Sequence, residues 1–348
     1  MTHTASLTST WQSPSNLAIV KYWGKKNIQE PVNPSVSFSL SQAFTRTSVN
    51  LTPKEGGGFS FKLDQQPVPK FENKIETFFK AARPRLPIIE NYYFDIESTN
   101  TFPHSTGIAS SASAMSALAF CLADLQQQVD GKKDLDITEV SSLARIGSGS
   151  ASRSVYGSWS LWGRMSELPE SSDIYAIPVP ADIAPVFRNL HDDILIVSSQ
   201  DKPVSSTQGH KLMDNHPYRE GRISQARQNT LTLLKHLSSG SFEGFAEIAE
   251  SEALSLHGLM MSSTPPYTLL LPNTLSIIEK IKDFRNRKDI PVTFTMDAGP
   301  NIHLLYPDEF SKEIAEWEEK EIKPFCANGR IIRDQVGRGP KKGIATKN

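Results

Sequence analysis

Phe102-Pro-His-Ser-Thr-Gly-Ile-Ala-Ser-Ser-Ala-Ser113 runs straight into Met115, Leu118, Ala119, Leu122 and Leu125, apolar positions at three- and four-residue steps. That spacing predicts a buried amphipathic helix that starts near Ser110, immediately after a loop of Ser, Gly and other small residues. Small residues let the backbone come close to a ligand, and the unpaired N–H groups of a helix start attract phosphate. The same residues would equally serve as a Ser cap with tight packing. A Walker loop is excluded, because the Gly-Lys-Ser/Thr ending is missing.

Outward from this junction, strands and helices are mixed. Asn33 to Thr52 alternates polar and apolar residues through Val36, Phe38, Leu40, Val49 and Leu51, which predicts paired strands in a hairpin-like sheet. Gly56-Gly57-Gly58 reads as a turn, Lys74 to Ala82 as a helix stopped by Pro84, and Tyr92 to Ser98 as a strand. A short helix should end near Ile146, and Asp193 to Ser199 is a strand. Helices are expected around 220–237, 242–257 and 272–286, then strands at Val292 to Met296 and Ile302 to Tyr306. The pattern implies an α+β layer architecture. At 348 residues, two packed domains are expected, 1–187 and 188–337, with 338–348 as a frayed tail.

Composition narrows the function classes. The net charge is -1 and the 37 basic residues are dispersed, so neither nucleic acid nor an anionic membrane is an expected partner. Cys121 and Cys326 stand far apart without companion ligands, which argues against a disulfide framework and a protein-held metal and favours a cytoplasmic location. Neither a signal pattern nor a span of ~20 apolar residues is present.

Three further stretches suggest chemistry. Gly147-Ser-Gly-Ser-Ala-Ser-Arg-Ser154 sets hydroxyls and flexible amides before one guanidinium, which could grip a carboxylate or phosphate or could be a solvated loop charge. Val292 to Tyr306 folds as strand, turn and strand with Asp297 at the turn entrance, placed either to act on a substrate hydroxyl or to form an Asx turn. Asn16-Leu-Ala-Ile-Val-Lys-Tyr-Trp-Gly-Lys25 puts Lys21 and Lys25 in and just after an apolar strand, where an ammonium needs an anionic partner.

All four elements, in this order and spacing over roughly residues 10–308, resemble the mevalonate diphosphate decarboxylase family of the GHMP kinase superfamily. The matches are Lys21 to Lys25, Ala109 to Ser113, Ser148 to Arg153 and Asp297 to Asn301. The resemblance implies a two-domain GHMP kinase fold, with a ribosomal-protein-like N-terminal domain and a ferredoxin-like C-terminal domain, usually a homodimer. It implies ATP, with Mg2+ bound to it, on Gly107, Ile108, Ala109, Ser110, Ser111 and Ser113. Mevalonate diphosphate would meet Tyr22, Trp23, Gly24, Lys25, Lys74, Ser148, Gly149, Ser150, Ala151, Ser152 and Thr207. Asp297 would be the base or orienting group, with Lys21 and Arg153 as cationic neighbours. The implied reaction is ATP-dependent decarboxylation to isopentenyl diphosphate. A phosphomevalonate decarboxylase, a mevalonate 3-kinase and a non-catalytic superfamily member share much of the pattern. Departures from it are His104-Ser105-Thr106 with Ile108 for Thr-Ala-Ala and Leu, Ser152 for a frequent Cys, and His210 for Met.

Overall fold

Leu7–Val20 forms a 14-residue strand that runs antiparallel to the 19-residue strand Ser35–Pro53, from Leu7 opposite Leu51 to Val20 opposite Val36. These are features of a computed structural model that describes residues 7–102, 108–132, 134–200 and 204–343. From Ser13 to Val20 every residue of the first strand is buried, so both faces are covered and no alternation marks it. The expected hairpin between Asn33 and Thr52 is instead this single long strand. Its alternation marks one covered face only beyond Leu40, since Ser35, Ser37 and Ser39 are buried too, and its partners are Leu7–Val20 on one side and Tyr92–Asn100 and Trp159–Trp162 on the other.

Gly58–Leu63 lies parallel to Tyr92–Asn100, and the intervening chain includes the helix Pro69–Ala82. That helix starts five residues before Lys74, because Pro69 at its first turn gives up no hydrogen bond there. At the preceding turn Gly57 has φ +66, and a Cβ would lie 2.2 Å from the Ile89 carbonyl oxygen, so only glycine fits. Ser110–Asp130 is the expected long helix; its apolar side packs on the sheet and Gly131, at φ +69, closes it. Ile137–Gly147 follows, capped by the Asp136 carboxylate, which accepts from the N–H groups of Thr138 and Glu139.

A second sheet has the order Thr293–Thr295, Ile302–Tyr306, His191–Leu195, Ile331–Gln335, all antiparallel. Helices Arg219–Ser239, Phe242–Met261 and Pro272–Lys288 accompany it. The two sheets share a core in which Phe38 and Trp159 of the first meet Phe187 and Phe245. Truncating one such aromatic to Ala costs ~3–5 kcal/mol, so this seam is a packed interior. Asp334 reinforces it by accepting the N–H groups of Ser41, Gln42 and Ala43 at 2.7, 2.9 and 2.8 Å.

In the tail expected to fray from Arg338, the described residues reach Gly343 and include a short strand. Lys341–Lys342 pairs with Trp11 and Gln12, the Lys342 ammonium binds Asp124 at 2.7 Å, and Gly343 N–H donates to Thr10. The edge of the first strand recruits it, since those backbone groups would otherwise lack partners.

Candidate active site

Lys21 follows the last residue of the first strand and is 1% exposed. Its ammonium stands 3.0 Å from Asp297 Oδ1 and also donates to the Ala18 carbonyl. Burial pushes the Lys21 pKa down, and Asp297 opposes that shift. Asp297 follows the short strand Thr293–Thr295, on a turn closed by Gly299 N–H donating to its carbonyl at 2.7 Å; the carbonyl also meets His257 Nε2 at 3.2 Å. Its side chain keeps 31% exposure and faces a cavity of about 600 Å3.

Arg153 enters the same cavity from the 3-10 turn Gly149–Val155, which is buried rather than a flexible surface loop. Its guanidinium donates to Asn16 Oδ1 at 3.2 and 3.3 Å and to Ser35 Oγ, and it lies over the Trp162 ring. Burial lowers its pKa to about 10, against the pull of Asp297. No carboxylate contacts the guanidinium among the described residues, so its charge remains available to an anion.

Across the cavity is the start of helix Ser110–Asp130. Ala109 sits there at φ +34 and no side chain among the described residues caps the helix, so its first residues, Ser110 and Ser111, present their N–H groups at the cavity wall. Ser111 Oγ meets Ser148 Oγ at 3.1 Å and ties this start to the 3-10 turn. Lys25 and Lys74 line the wall, half-buried and without a carboxylate partner among the described residues. Burial, aided by the Lys74 charge, brings Lys25 down to about 8; burial also lowers Lys74. Among the described residues, no group of three or more His, Cys, Asp or Glu can hold a metal ion. The site is therefore a cationic, hydroxyl-lined bowl with one carboxylate, suited to a polyanion that carries its own divalent cation.

Two family descriptions match the chain: a diphosphomevalonate decarboxylase-like N-terminal domain over residues 13–176, and a mevalonate 5-diphosphate decarboxylase C-terminal domain over residues 193–341. A diphosphomevalonate decarboxylase of Ganoderma lucidum is 31% identical over 367 residues, which span 97% of this chain and 87% of the relative. The chain belongs to the diphosphomevalonate decarboxylase family. The crystal structure of mevalonate diphosphate decarboxylase from Staphylococcus aureus has a TM-score of 0.85 at 28% identity, covering 97% of this chain and 98% of its own. A structure of MDDEF in complex with MVAPP, AMPPCP and magnesium has a TM-score of 0.83 at 26% identity, covering 97% and 99%.

Most residues that the decarboxylase family pattern indicated line this one cavity. They are Lys21, Tyr22, Trp23, Lys25, Lys74, Ile108, Ala109, Ser110, Ser111, Ser148, Gly149, Ser150, Arg153, Thr207 and Asp297. Four do not. Ser113 bonds Thr45 Oγ1 at 2.7 Å inside the helix–sheet packing, Ala151 lies in the core, and Ser152 donates to the Gly149 carbonyl. Gly24 makes the turn at φ +95, where a Cβ would meet Val32 Cγ2 at 2.5 Å. Gly107 lies outside the described residues. The geometry of the 3-10 turn explains the split: side chains three apart share a face, so Ser150 and Arg153 look into the cavity while Ala151 and Ser152 turn inward.

Several cavity residues escaped the family motifs. Asn16 holds Arg153 and is itself fixed by donating to the Ser150 carbonyl and to Ser154 Oγ. His210, where the decarboxylase pattern usually has Met, accepts from Gly24 N–H at Nδ1, which puts its proton on Nε2. Burial, with Lys25 and Arg153 nearby, holds its pKa well below the ordinary value, so it adds no charge. Its ring sits against Tyr22 and Trp23, at centroid distances of 4.4 and 4.7 Å.

Proposed function

We propose that this chain is an ATP-dependent carboxy-lyase that converts (R)-5-diphosphomevalonate to isopentenyl diphosphate, releasing ADP, phosphate and carbon dioxide. The observation that supports this most is the Lys21–Asp297 pair at 3.0 Å, in one cavity with the buried Arg153 and an uncapped helix start. The N–H groups at Ser110 and Ser111 suit the ATP phosphates, and an apolar pocket beside them, with Phe61, Phe71, Ile96 and Met115, suits the base. Mg2+ fits this donor set as an ion held by phosphate oxygens and the Ser111 and Ser148 hydroxyls. Bound there, it would supply neutralisation of phosphate charge.

Lys25, Lys74 and the Tyr22 hydroxyl, which is buried without a hydrogen-bond partner among the described residues, suit the substrate's diphosphate. Asp297 orients the 3-hydroxyl and takes its proton late, as the γ-phosphoryl arrives through a loose transition state. The Lys21 ammonium, 3.0 Å away, balances the Asp297 charge. When the new phosphate leaves with the C–O electron pair, positive charge develops at C3. The bond to the carboxylate then breaks, its electrons form the C=C bond, and carbon dioxide departs. Arg153 holds that carboxylate in place through a planar guanidinium. Leaving-group loss is the electron sink, so Asp297, Lys21 and Arg153 suffice on the protein side.

The cytosol is the compartment we assign, in keeping with two buried free thiols at Cys121 and Cys326. Among the described residues no helix is long and apolar enough to cross a membrane. The substrate is tested by offering ATP and Mg2+ with mevalonate diphosphate, mevalonate monophosphate or mevalonate and measuring carbon dioxide. The diphosphate should give by far the highest kcat/KM. Preference for the monophosphate would make the chain a phosphomevalonate decarboxylase.

A further inference from the structure

Behind the Lys21–Asp297 pair lies a second, fully buried charge pair that does not itself line the cavity. Glu252 is 0% exposed and Arg222 3%, on the neighbouring helices Phe242–Met261 and Arg219–Ser239. The guanidinium takes both carboxylate oxygens, at 2.7 and 2.6 Å, and Asn229 Nδ2 adds a third bond to Glu252 at 2.7 Å. From this clamp, Glu252 Oε2 accepts the Lys21 backbone N–H at 2.8 Å and Arg222 donates to the Lys21 carbonyl at 2.9 Å. Asn33 Nδ2 donates to the same carbonyl at 2.9 Å.

The sequence makes such a grip necessary. Strand pairing ends with Val20 opposite Val36, so the peptide groups of Lys21 are buried just where the sheet stops supplying partners. Neutral acceptors and donors would satisfy them. A forked ion pair does more, because charge-assisted bonds are shorter and fix direction. Both ends of the Lys21 backbone are thereby held by residues 201 and 231 positions away, and its side chain is aimed at Asp297 from a fixed origin. We infer that Glu252 and Arg222 are positioning residues for the reaction, setting the place of the Lys21 ammonium against Asp297. This rests on the catalytic reading of that pair given above.

The charged groups acting on Lys21 are Asp297 from the turn after Thr293–Thr295, Glu252 from helix Phe242–Met261 and Asp192 from strand His191–Leu195, all favouring its protonated form, with Arg222 paired to Glu252. Removing the Glu252 charge should therefore make Lys21 more acidic. The test uses full-length Glu252→Gln and the double variant Arg222→Met with Glu252→Gln, the latter leaving no unpaired buried charge if the single variant fails to fold. With folding verified by near-ultraviolet circular dichroism, kcat should fall about tenfold or more while both KM values stay within about threefold, since misplacement of a reacting group acts on turnover. In Glu252→Gln the alkaline limb of kcat, measured at saturating substrate so that Lys25 does not contribute, should also move to lower pH. A lowered melting temperature with unchanged kcat and alkaline limb would reduce the pair to a structural role and overturn the inference. Asp297→Asn, assayed in parallel, separates the two failures. If Asp297→Asn is inactive while the Glu252 variants are normal, positioning alone is wrong; if Asp297→Asn turns over normally, the catalytic reading falls and takes this inference with it.

Discussion

The Lys21 ammonium and Asp297 Oδ1 are 3.0 Å apart although their residues are 276 positions apart in the chain, so closure of this pair joins the first strand of one sheet to a turn of the other. The Asp297 side chain keeps part of its surface on the cavity, where a hydroxyl can reach it. Asp297→Asn is almost isosteric and can keep the turn. It cannot take a proton or balance Lys21. Turnover should fall by ~10²–10⁴-fold with substrate dissociation constants nearly unchanged, as measured by steady-state kinetics and calorimetric titration.

Arg153→Lys should damage both affinity and turnover. The guanidinium is held in one plane by Asn16 and Ser35 beside Trp162, and an ammonium there can neither keep both bonds to Asn16 nor make a two-point contact with a carboxylate. Kinetics should show KM for the substrate rising together with a fall in kcat, in contrast to Asp297→Asn.

Ser111→Leu should raise KM for ATP by about tenfold or more, because the branched side chain would occupy the space beside the free N–H groups and break the contact to Ser148. The helix keeps its buried apolar face, so the melting temperature should change little. Unaltered ATP kinetics would mean that this helix start binds no nucleotide.

The cationic wall predicts a pH dependence. Burial and Lys74 bring Lys25 to about 8 in the free protein, below the ordinary lysine value. Lys25 is charged below that pH and loses its charge above it, so KM for the diphosphate should climb as pH rises through about 8. Lys25→Gln should raise KM at neutral pH and remove that break. A wild-type KM that stays flat from pH 7 to 9 would remove Lys25 from substrate binding.

Much of this was legible in the sequence where periodicity or an unusual residue made a signal. The Ser110–Asp130 helix announced itself by apolar spacing, and Lys21 by being a charge in an apolar run. The apolar end of Leu7–Val20, just before Lys21, was legible as a strand; its polar first half, with Leu7 and Trp11 four residues apart, shows no alternation to read. Gly149–Val155 read as a flexible loop, because a 3-10 turn of small residues leaves no periodic trace. Arg222 and Glu252 sit in helices that carry other charged residues and look individually like solvated surface groups; only the packing of two helices against Lys21 separates them from their neighbours. The ordered tail at Lys341–Lys342 depended on an open strand edge that no local pattern reveals.

The central claim is that one site transfers a phosphoryl group and expels carbon dioxide in a coupled sequence. Its most direct test is a product balance on the purified protein with ATP, Mg2+ and mevalonate diphosphate, in which ADP, inorganic phosphate and carbon dioxide are counted from the same reaction. The account predicts equal amounts of all three, with isopentenyl diphosphate as the organic product. ADP formed without matching phosphate and carbon dioxide would show that the chain stops at phosphorylation of the 3-hydroxyl, and would contradict the account.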